Sequence, residues 1–377
     1  MQGVTPVVLS VVLAMLEFSV GIYLLFGMRR RRTSILALAF MLAFTPLTLY
    51  LAVANPVRDC GCFGDALVLT NWQTFWKNVI LLAAAILLVC KTRLMTRLIT
   101  ERHQWTVSLC TWAFSLIFAG MSLYGLPPID FLPYRIGVNL REKLAERDAA
   151  QGQTKTYFIM EKNGERREFA TEDYPDSTWT YIDTRVEGTQ SSAESPYADF
   201  CMQTADGEDL TGEVMQDTSY VFLLLSPYLE QADDGVLDII TSAYDYAQEH
   251  GYRFYCLTSS GREIIATWQE MTGAEYPFLF TDGIVLKTMI RSNPGLMLLH
   301  DGRITGKWPS TGMPDLTEEV RPLEQTEWGA LEGPSRMERL LTILFRYVLP
   351  LLACTLADRL WVAWKLRKRH KPNTNSK

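Results

Sequence analysis

Long apolar runs stand at both ends of the chain, and shorter apolar stretches alternating with polar ones fill its middle. Four runs lie near the N-terminus: Pro6 to Met28, Ser34 to Ala54, Phe75 to Cys90 and Trp105 to Tyr124. A fifth extends from Leu340 to Leu366. A helix needs about 20 mostly apolar residues to cross the hydrocarbon core of a bilayer. The first, second and fourth runs reach that length. The third is short and borrows Trp72, Phe75 and Trp76, whose rings suit the membrane interface. Arg346, Asp358 and Arg359 interrupt the fifth, which still reads better as a crossing than as a helix lying in the interface. The expected architecture is a membrane α-helical bundle, four N-terminal helices plus one C-terminal helix, carrying a soluble α/β domain. The expected boundaries are 1–125 for the first helices (about 6–28, 34–54, 75–90 and 105–124), 126–337 for the soluble domain, 338–366 for the last helix and 367–377 for a basic tail.

Basic residues set the expected orientation, because Lys and Arg favour the cytoplasmic side. Arg29 to Arg32 follow the first helix, Lys91, Arg93, Arg97 and Arg102 separate the third from the fourth, and Lys365, Arg367, Lys368, Arg369 and Lys371 close the chain. One topology satisfies all three clusters. The N-terminus, the loop from Asn55 to Asn71 and the soluble domain lie outside, in the periplasm of an inner-membrane protein, and the C-terminus lies in the cytoplasm. The lipid bilayer is thus the first expected partner. The 36 basic and 42 acidic residues leave a formal charge of −6, which gives no reason to expect nucleic acid.

The middle of the chain reads as α/β. Thr156 to Met160 and Arg166 to Ala170 flank Asn163-Gly164, a hairpin turn signal. Glu187 to Ser195 reads as a loop. Tyr220 to Leu225 is a buried strand, Val236 to His250 a helix stopped at Gly251, and Arg253 to Leu257 a second strand. Arg262 to Met271 is a helix, Phe278 to Phe280 a strand, and Leu296 to His300 with Ile304 to Trp308 a hairpin across Asp301-Gly302. This order looks like the thioredoxin fold, with Pro294 where such proteins keep a cis-proline beside the bound substrate. The stretch after the first central strand, Leu225-Ser226-Pro227-Tyr228-Leu229, holds no cysteine, so the usual dithiol chemistry is missing there.

The most specific chemical signal is Asp59-Cys60-Gly61-Cys62-Phe63-Gly64-Asp65, in the loop expected outside. Two thiols one residue apart close a small, strained disulfide ring, and such bonds tend to be oxidising and labile. Cys60 and Cys62 are therefore the candidate catalytic pair. A static turn with two free thiols, a bond to a partner, or a clip to Cys201 are the competing readings. A metal is not expected, because the loop offers two good ligands and no nearby histidine. Glu17, midway along the first helix, is costly in lipid and so a candidate quinone or proton site; the plain alternative is a protonated carboxyl bonded to Thr45 or Thr48. Pro46 marks an expected kink. Cys256 reads as a core residue, and Cys90, Cys110 and Cys354 as packing residues or inner-side thiols.

Asp59-Cys60-Gly61-Cys62-Phe63-Gly64 and the stretch from Trp72 to Lys77 resemble the MauE-like branch of the DoxX-like membrane proteins. Ile129 to Gly137 is similar to a segment of DoxX-like proteins that carry a fused thioredoxin-like domain, and Ser292-Asn293-Pro294-Gly295 to that domain itself. Such proteins usually begin one helix earlier, so this chain starts at what would be their second. The resemblance implies maturation of disulfide-rich proteins outside the cytoplasm, associated with methylamine utilisation. Two functions follow as expectations. One is a membrane thiol–disulfide oxidoreductase working through Cys60 and Cys62 on a thiol-bearing client or electron-transfer partner, with a quinone as electron sink. The other is a non-enzymatic membrane-anchored binding or assembly module that uses the thioredoxin-like domain.

Overall fold

The computed structural model describes residues 4–56, 69–152, 155–162, 165–170, 179–187, 195–330 and 336–369. The chain divides into two compact units, one of residues 1–131 with 334–377 and the other of residues 132–333.

The first unit consists of the helices α1 (Val4–Leu25), α2 (Arg30–Ala54), α3 (Asn71–Cys90), α4 (Gln104–Tyr124) and, from the far end of the chain, α10 (Arg336–Arg369). All five are long and apolar enough to cross a membrane. Their burial is inverted relative to a soluble bundle. In α3 the buried residues are Asn71, Thr74, Asn78 and Ala85, whereas Trp72, Trp76, Ile80, Leu81 and Leu87 are exposed. In α2 the buried residues are Thr33, Ser34, Ala37, Thr48 and Ala52, and in α4 they are Gln104, Val107, Thr111 and Ser115. Small and hydroxyl-bearing side chains allow close helix approach, and apolar ones face lipid, as expected where hydrocarbon replaces water as solvent. The chain is a multi-pass membrane protein.

Within this unit α3 starts four residues before its apolar run. Thr70 caps it, accepting the Gln73 N–H at 3.3 Å while Gln73 Oε1 accepts the Thr70 N–H at 3.0 Å. The α2 helix runs through Pro46 as one element.

The second unit holds two sheets. The smaller has the order β2-β1-β3, with β1 (Lys155–Lys162), β2 (Glu165–Ala170) and β3 (Thr180–Glu187) all antiparallel. The expected hairpin is present, with Tyr157 opposite Ala170 and Lys162 opposite Glu165, while its Asn163-Gly164 turn lies outside the described residues. The third strand escaped the sequence reading, because its Thr, Asp, Arg and Glu residues dilute the apolar alternation. The expected loop over 188–194 also falls outside the described residues.

The larger sheet has the order β6-β5-β4-β7-β8. Its strands are β4 (Tyr220–Ser226), β5 (Arg253–Thr258), β6 (Phe278–Phe280), β7 (Gly295–His300) and β8 (Arg303–Pro309). The first three run parallel, and β7 and β8 add an antiparallel hairpin beside β4. Helices α7 (Leu237–Glu249), α8 (Arg262–Thr272) and α9 (Gly283–Met289) connect successive strands, while α5 (Leu140–Gly152) and α6 (Thr211–Gln216) precede β4. Three parallel strands joined by helices and closed by a hairpin form a thioredoxin-like sheet. Every residue of β4 is buried, as its unbroken apolar run demands of a central strand covered on both faces. Phe222, Leu224, Ile240, Phe254, Cys256 and Trp268 share one core cluster. The segment before α5 belongs to this unit's packing: Tyr134 is fully buried, Lys307 Nζ donates to its carbonyl at 3.0 Å, and the Gly137 N–H donates to Ile304 O at 2.8 Å.

Leu224 is fully buried at the centre of that cluster. Truncating Leu224 to Ala should cost about 2–5 kcal/mol, by the usual loss for a buried leucine. Hydrogen exchange on the full-length protein would show it as faster exchange of the β4 and β5 amides; unchanged exchange would contradict the assignment of β4 as the core strand.

Candidate functional site

Cys60 and Cys62 lie outside the described residues, as does the rest of 57–68. The base of their loop is described. Asn55 closes α2 in the left-handed conformation (φ 44°), its N–H on Leu51 O. Asn71 Nδ2 donates to Asn55 Oδ1 at 2.9 Å, joining the end of α2 to the start of α3. With the Thr70 cap, this bond holds the two ends of the loop together independently of its sulfurs.

Farther along these helices, α1, α2 and α3 line a partly open cavity of about 430 Å³. Phe40, Met41 and Phe44 of α2 and Leu81 of α3 supply apolar walls, and Glu17 of α1 faces the same space as Lys77 and Asn78 of α3. Glu17 and Lys77 interact electrostatically. Asn78 Nδ2 donates to Thr48 Oγ1 at 3.2 Å, and the Thr48 hydroxyl lies 3.0 Å from Phe44 O. Thr45 Oγ1 donates to Met41 O at 2.7 Å. Both threonines considered as partners for Glu17 are thus turned to their own helix and to Asn78, while Lys77 lines the same cavity as Glu17. An apolar cavity with one carboxyl and one amine at its wall suits a lipid-soluble molecule carrying polar oxygens.

At the end of this unit that carries Arg97 and Arg102, Asp358 is 4 % exposed. Its carboxylate accepts from the Thr100 N–H at 3.0 Å and the Thr100 hydroxyl at 2.6 Å, and lies 2.6 Å from His103 Nδ1. Arg359 donates to the Arg97 carbonyl at 3.4 Å.

In the soluble unit, the place where thioredoxins carry a dithiol is filled by hydroxyls. Ser226 Oγ donates to Asn293 Oδ1 at 2.8 Å, and Asn293 Nδ2 donates to Tyr228 O at 2.7 Å. Ser259 Oγ donates to Pro227 O at 2.6 Å, and the Leu229 N–H to Ser260 Oγ at 2.9 Å. Lys287 Nζ donates to Tyr228 Oη at 3.0 Å. Asn293-Pro294 is a cis peptide, directly before β7. The expected geometry at Pro294 is therefore present, without the sulfur chemistry that normally faces it.

Residues 2–91 match the family model described as methylamine utilisation protein MauE. The segment that holds α1, α2 and α3 is MauE-like. Residues 154–187, which hold β1, β2 and β3, match a domain family of unknown function. No curated protein matches the chain at a significant level. Among solved structures, similarity extends to a candidate protein disulfide isomerase from Bacteroides thetaiotaomicron (13 % identity, TM-score 0.26, covering 30 % of this chain and 76 % of that one). It extends also to StoA from Bacillus subtilis (17 %, 0.24, 29 % and 87 %) and to a thioredoxin-family thiol:disulfide interchange protein from Chlorobium tepidum TLS (12 %, 0.23, 29 % and 81 %). At these identities and scores the likenesses bear on no chemistry, and the thioredoxin-like assignment stands on strand order and connectivity.

The MauE-like helices hold Lys77 and Asn78, which sequence reasoning did not single out as site residues. A signal was there: a lysine seven residues into an apolar helix is as costly in lipid as Glu17. It was obscured by the neighbouring tryptophans, which mark an interface where lysine is ordinary.

The cysteines of the soluble unit are poor nucleophiles. Burial pushes the thiol pKa of both Cys201 and Cys256 up, and Cys256 is fully buried. A raised pKa lowers the thiolate fraction at neutral pH, and the thiolate is the reactive form. In folded full-length protein at pH 8, iodoacetamide should therefore modify Cys201 at least tenfold more slowly than an unfolded-chain thiol and leave Cys256 untouched until denaturant is added. Alkylation of folded Cys256 at the unfolded rate, read by peptide mass spectrometry, would contradict this.

Proposed function

We propose that this chain is a membrane thiol–disulfide oxidoreductase, or disulfide-forming maturation factor, whose reacting sulfurs are Cys60 and Cys62. The observation that carries the reading is the Cys60-Gly61-Cys62 loop inside the segment that matches the MauE family. In the oxidising half-reaction, a client thiolate attacks one sulfur of the Cys60–Cys62 disulfide and the other sulfur leaves. The client's second thiol then resolves the mixed disulfide, so the client gains an S–S bond and Cys60 and Cys62 gain two electrons and two protons. Gly61 leaves the sulfurs uncrowded, and the Asn55–Asn71 bond holds the base of the loop whether the sulfurs are bonded or free.

Reoxidation needs an acceptor of two electrons and two protons. The α1–α3 cavity fits a lipid-soluble quinone, which supplies that capacity when bound. Lys77 would donate a hydrogen bond to a quinone oxygen, and Glu17 would hold and pass a proton there. The three basic clusters support a periplasmic placement of the loop and the soluble unit, with the C-terminus in the cytoplasm of an inner-membrane protein. The family's description names methylamine utilisation, and thiol-bearing proteins of such a process are the proposed clients.

The hydroxyl-filled site at Ser226 to Leu229 favours a second reading of the soluble unit, that it binds and orients a partner without exchanging electrons. That reading becomes the function of the whole chain if Cys60 and Cys62 do not react.

Purified protein should oxidise a reduced model dithiol protein with concurrent loss of a short-chain quinone's absorbance. Replacing both Cys60 and Cys62 by Ser should lower that rate at least a hundredfold, and Lys77→Met should raise the quinone concentration needed for half-maximal rate. Retained turnover in the double serine variant would refute the oxidoreductase reading and leave the binding module.

A further inference from the structure

Basic side chains crowd one end of the membrane unit, and several of them are already engaged. Arg30 donates to the carbonyls of Arg93 and Met95, Arg97 pairs with Glu101, and Arg359 donates to the Arg97 carbonyl. Arg102 and Lys365 differ. Both are exposed, and neither has a carboxylate or carbonyl partner among the described residues. What they share is one ring. The Arg102 guanidinium stands 5.7 Å and the Lys365 ammonium 4.8 Å from the centre of the Trp361 indole. The His103 ring meets the same indole edge-on, with centres 5.2 Å apart.

The frame of this group comes from α10 and the segment before α4. Asp358, Trp361 and Lys365 follow the i, i+3, i+7 spacing of one helix face. One turn from Trp361, the buried Asp358 carboxylate accepts from the Thr100 N–H and hydroxyl and lies 2.6 Å from His103 Nδ1. These bonds tie α10 to the same segment that supplies Arg102. Each cation is attracted by the indole, but two like charges beside one ring repel each other, and an anion between them removes that repulsion. The position sets the class of anion. Glu101 opens the membrane span of α4 and Arg367 closes that of α10. The cations therefore stand at the level of the bilayer surface, where Trp105 and Trp364 are exposed as interfacial rings.

We infer that Arg102, Trp361 and Lys365 form a headgroup site for an anionic phospholipid of the phosphatidylglycerol class, its phosphate held by the guanidinium and the ammonium. The acyl chains then run along apolar side chains exposed on α4 and α10, Leu109 and Leu360 among them. A zwitterionic headgroup is disfavoured, because its own ammonium would face two cations. The site touches neither Cys60 and Cys62 nor the Glu17 cavity, and the inference stands or falls independently of the proposed thiol chemistry.

Native mass spectrometry of the full-length protein in detergent tests it. On titration with dioleoyl phosphatidylglycerol or dioleoyl phosphatidylethanolamine, the unsubstituted protein should bind one phosphatidylglycerol about tenfold more tightly than phosphatidylethanolamine. Arg102→Gln/Lys365→Gln should abolish that preference. Arg102→Lys/Lys365→Arg keeps both charges and should keep it. Arg31→Gln/Arg32→Gln removes the same charge from two other exposed residues, at the start of α2, and should leave the preference unchanged. Excess inorganic phosphate should not displace the lipid. Equal binding of the two lipids by the unsubstituted protein, a preference retained in Arg102→Gln/Lys365→Gln, or an equal loss in Arg31→Gln/Arg32→Gln would overturn the inference. Displacement by inorganic phosphate would overturn it too, by showing a site for a soluble anion.

Discussion

Hydrocarbon offers no hydrogen-bond partner, and that constraint shapes the first unit of this protein. Its helices close their own backbone bonds, turn Leu, Ile, Val and Trp outward, and put Asn, Thr, Ser and Ala against one another. Two of the ionisable groups that enter this environment meet answering ones. Glu17 interacts with Lys77, and Asp358 is held by Thr100 and His103. A single charge left alone at either place would be expensive enough to displace a helix. The chemistry this unit can host is therefore confined to the few positions where polar groups converge, one of which lines the cavity between α1, α2 and α3.

The soluble unit obeys the opposite rule. Its core strand β4 is apolar from Tyr220 to Leu225 and buried throughout, and polar side chains collect at the strand's C-terminal end, where Ser226, Ser259 and Ser260 satisfy backbone and side-chain groups around Tyr228 and Asn293. The thioredoxin-like scaffold is kept in full down to the cis-Asn293-Pro294 bond, while the sulfurs that would make it an electron carrier are replaced by hydroxyls. Cys256 remains in β5 as a core residue. In the proposed division of labour the scaffold supplies recognition, and reactive sulfur is left to the short loop between α2 and α3.

Much of this architecture could be read from residue order. The five apolar runs, the 220–309 succession of strands and helices, and the Asp301-Gly302 hairpin are strong periodic or turn signals; the strands of the hairpin and of the core began and ended within a residue or so of expectation, while α2, α3 and α10 each began four residues earlier. The pieces that were missed share a physical cause: their stability comes from tertiary contact, not local pattern. Strand β3 mixes Tyr, Ile and Val with Thr, Asp, Arg and Glu and exists as a partner of β1. Helix α6 spans six residues and is anchored by burial of Val214 and Met215. Glu17 was legible as an oddity, but its partner Lys77 is 60 residues away on another helix, and proximity of that kind leaves no trace in spacing.

The central claim is that the Cys60–Cys62 pair cycles between two redox states rather than sitting in one. The most direct measurement is acid quenching of intact cells followed by mass-tagged alkylation of free thiols, with Cys60 and Cys62 read by peptide mass spectrometry. The account predicts a mixed population of disulfide and dithiol that moves toward dithiol when quinone reoxidation is blocked. A pair found wholly in one state, unchanged by that block, would contradict it.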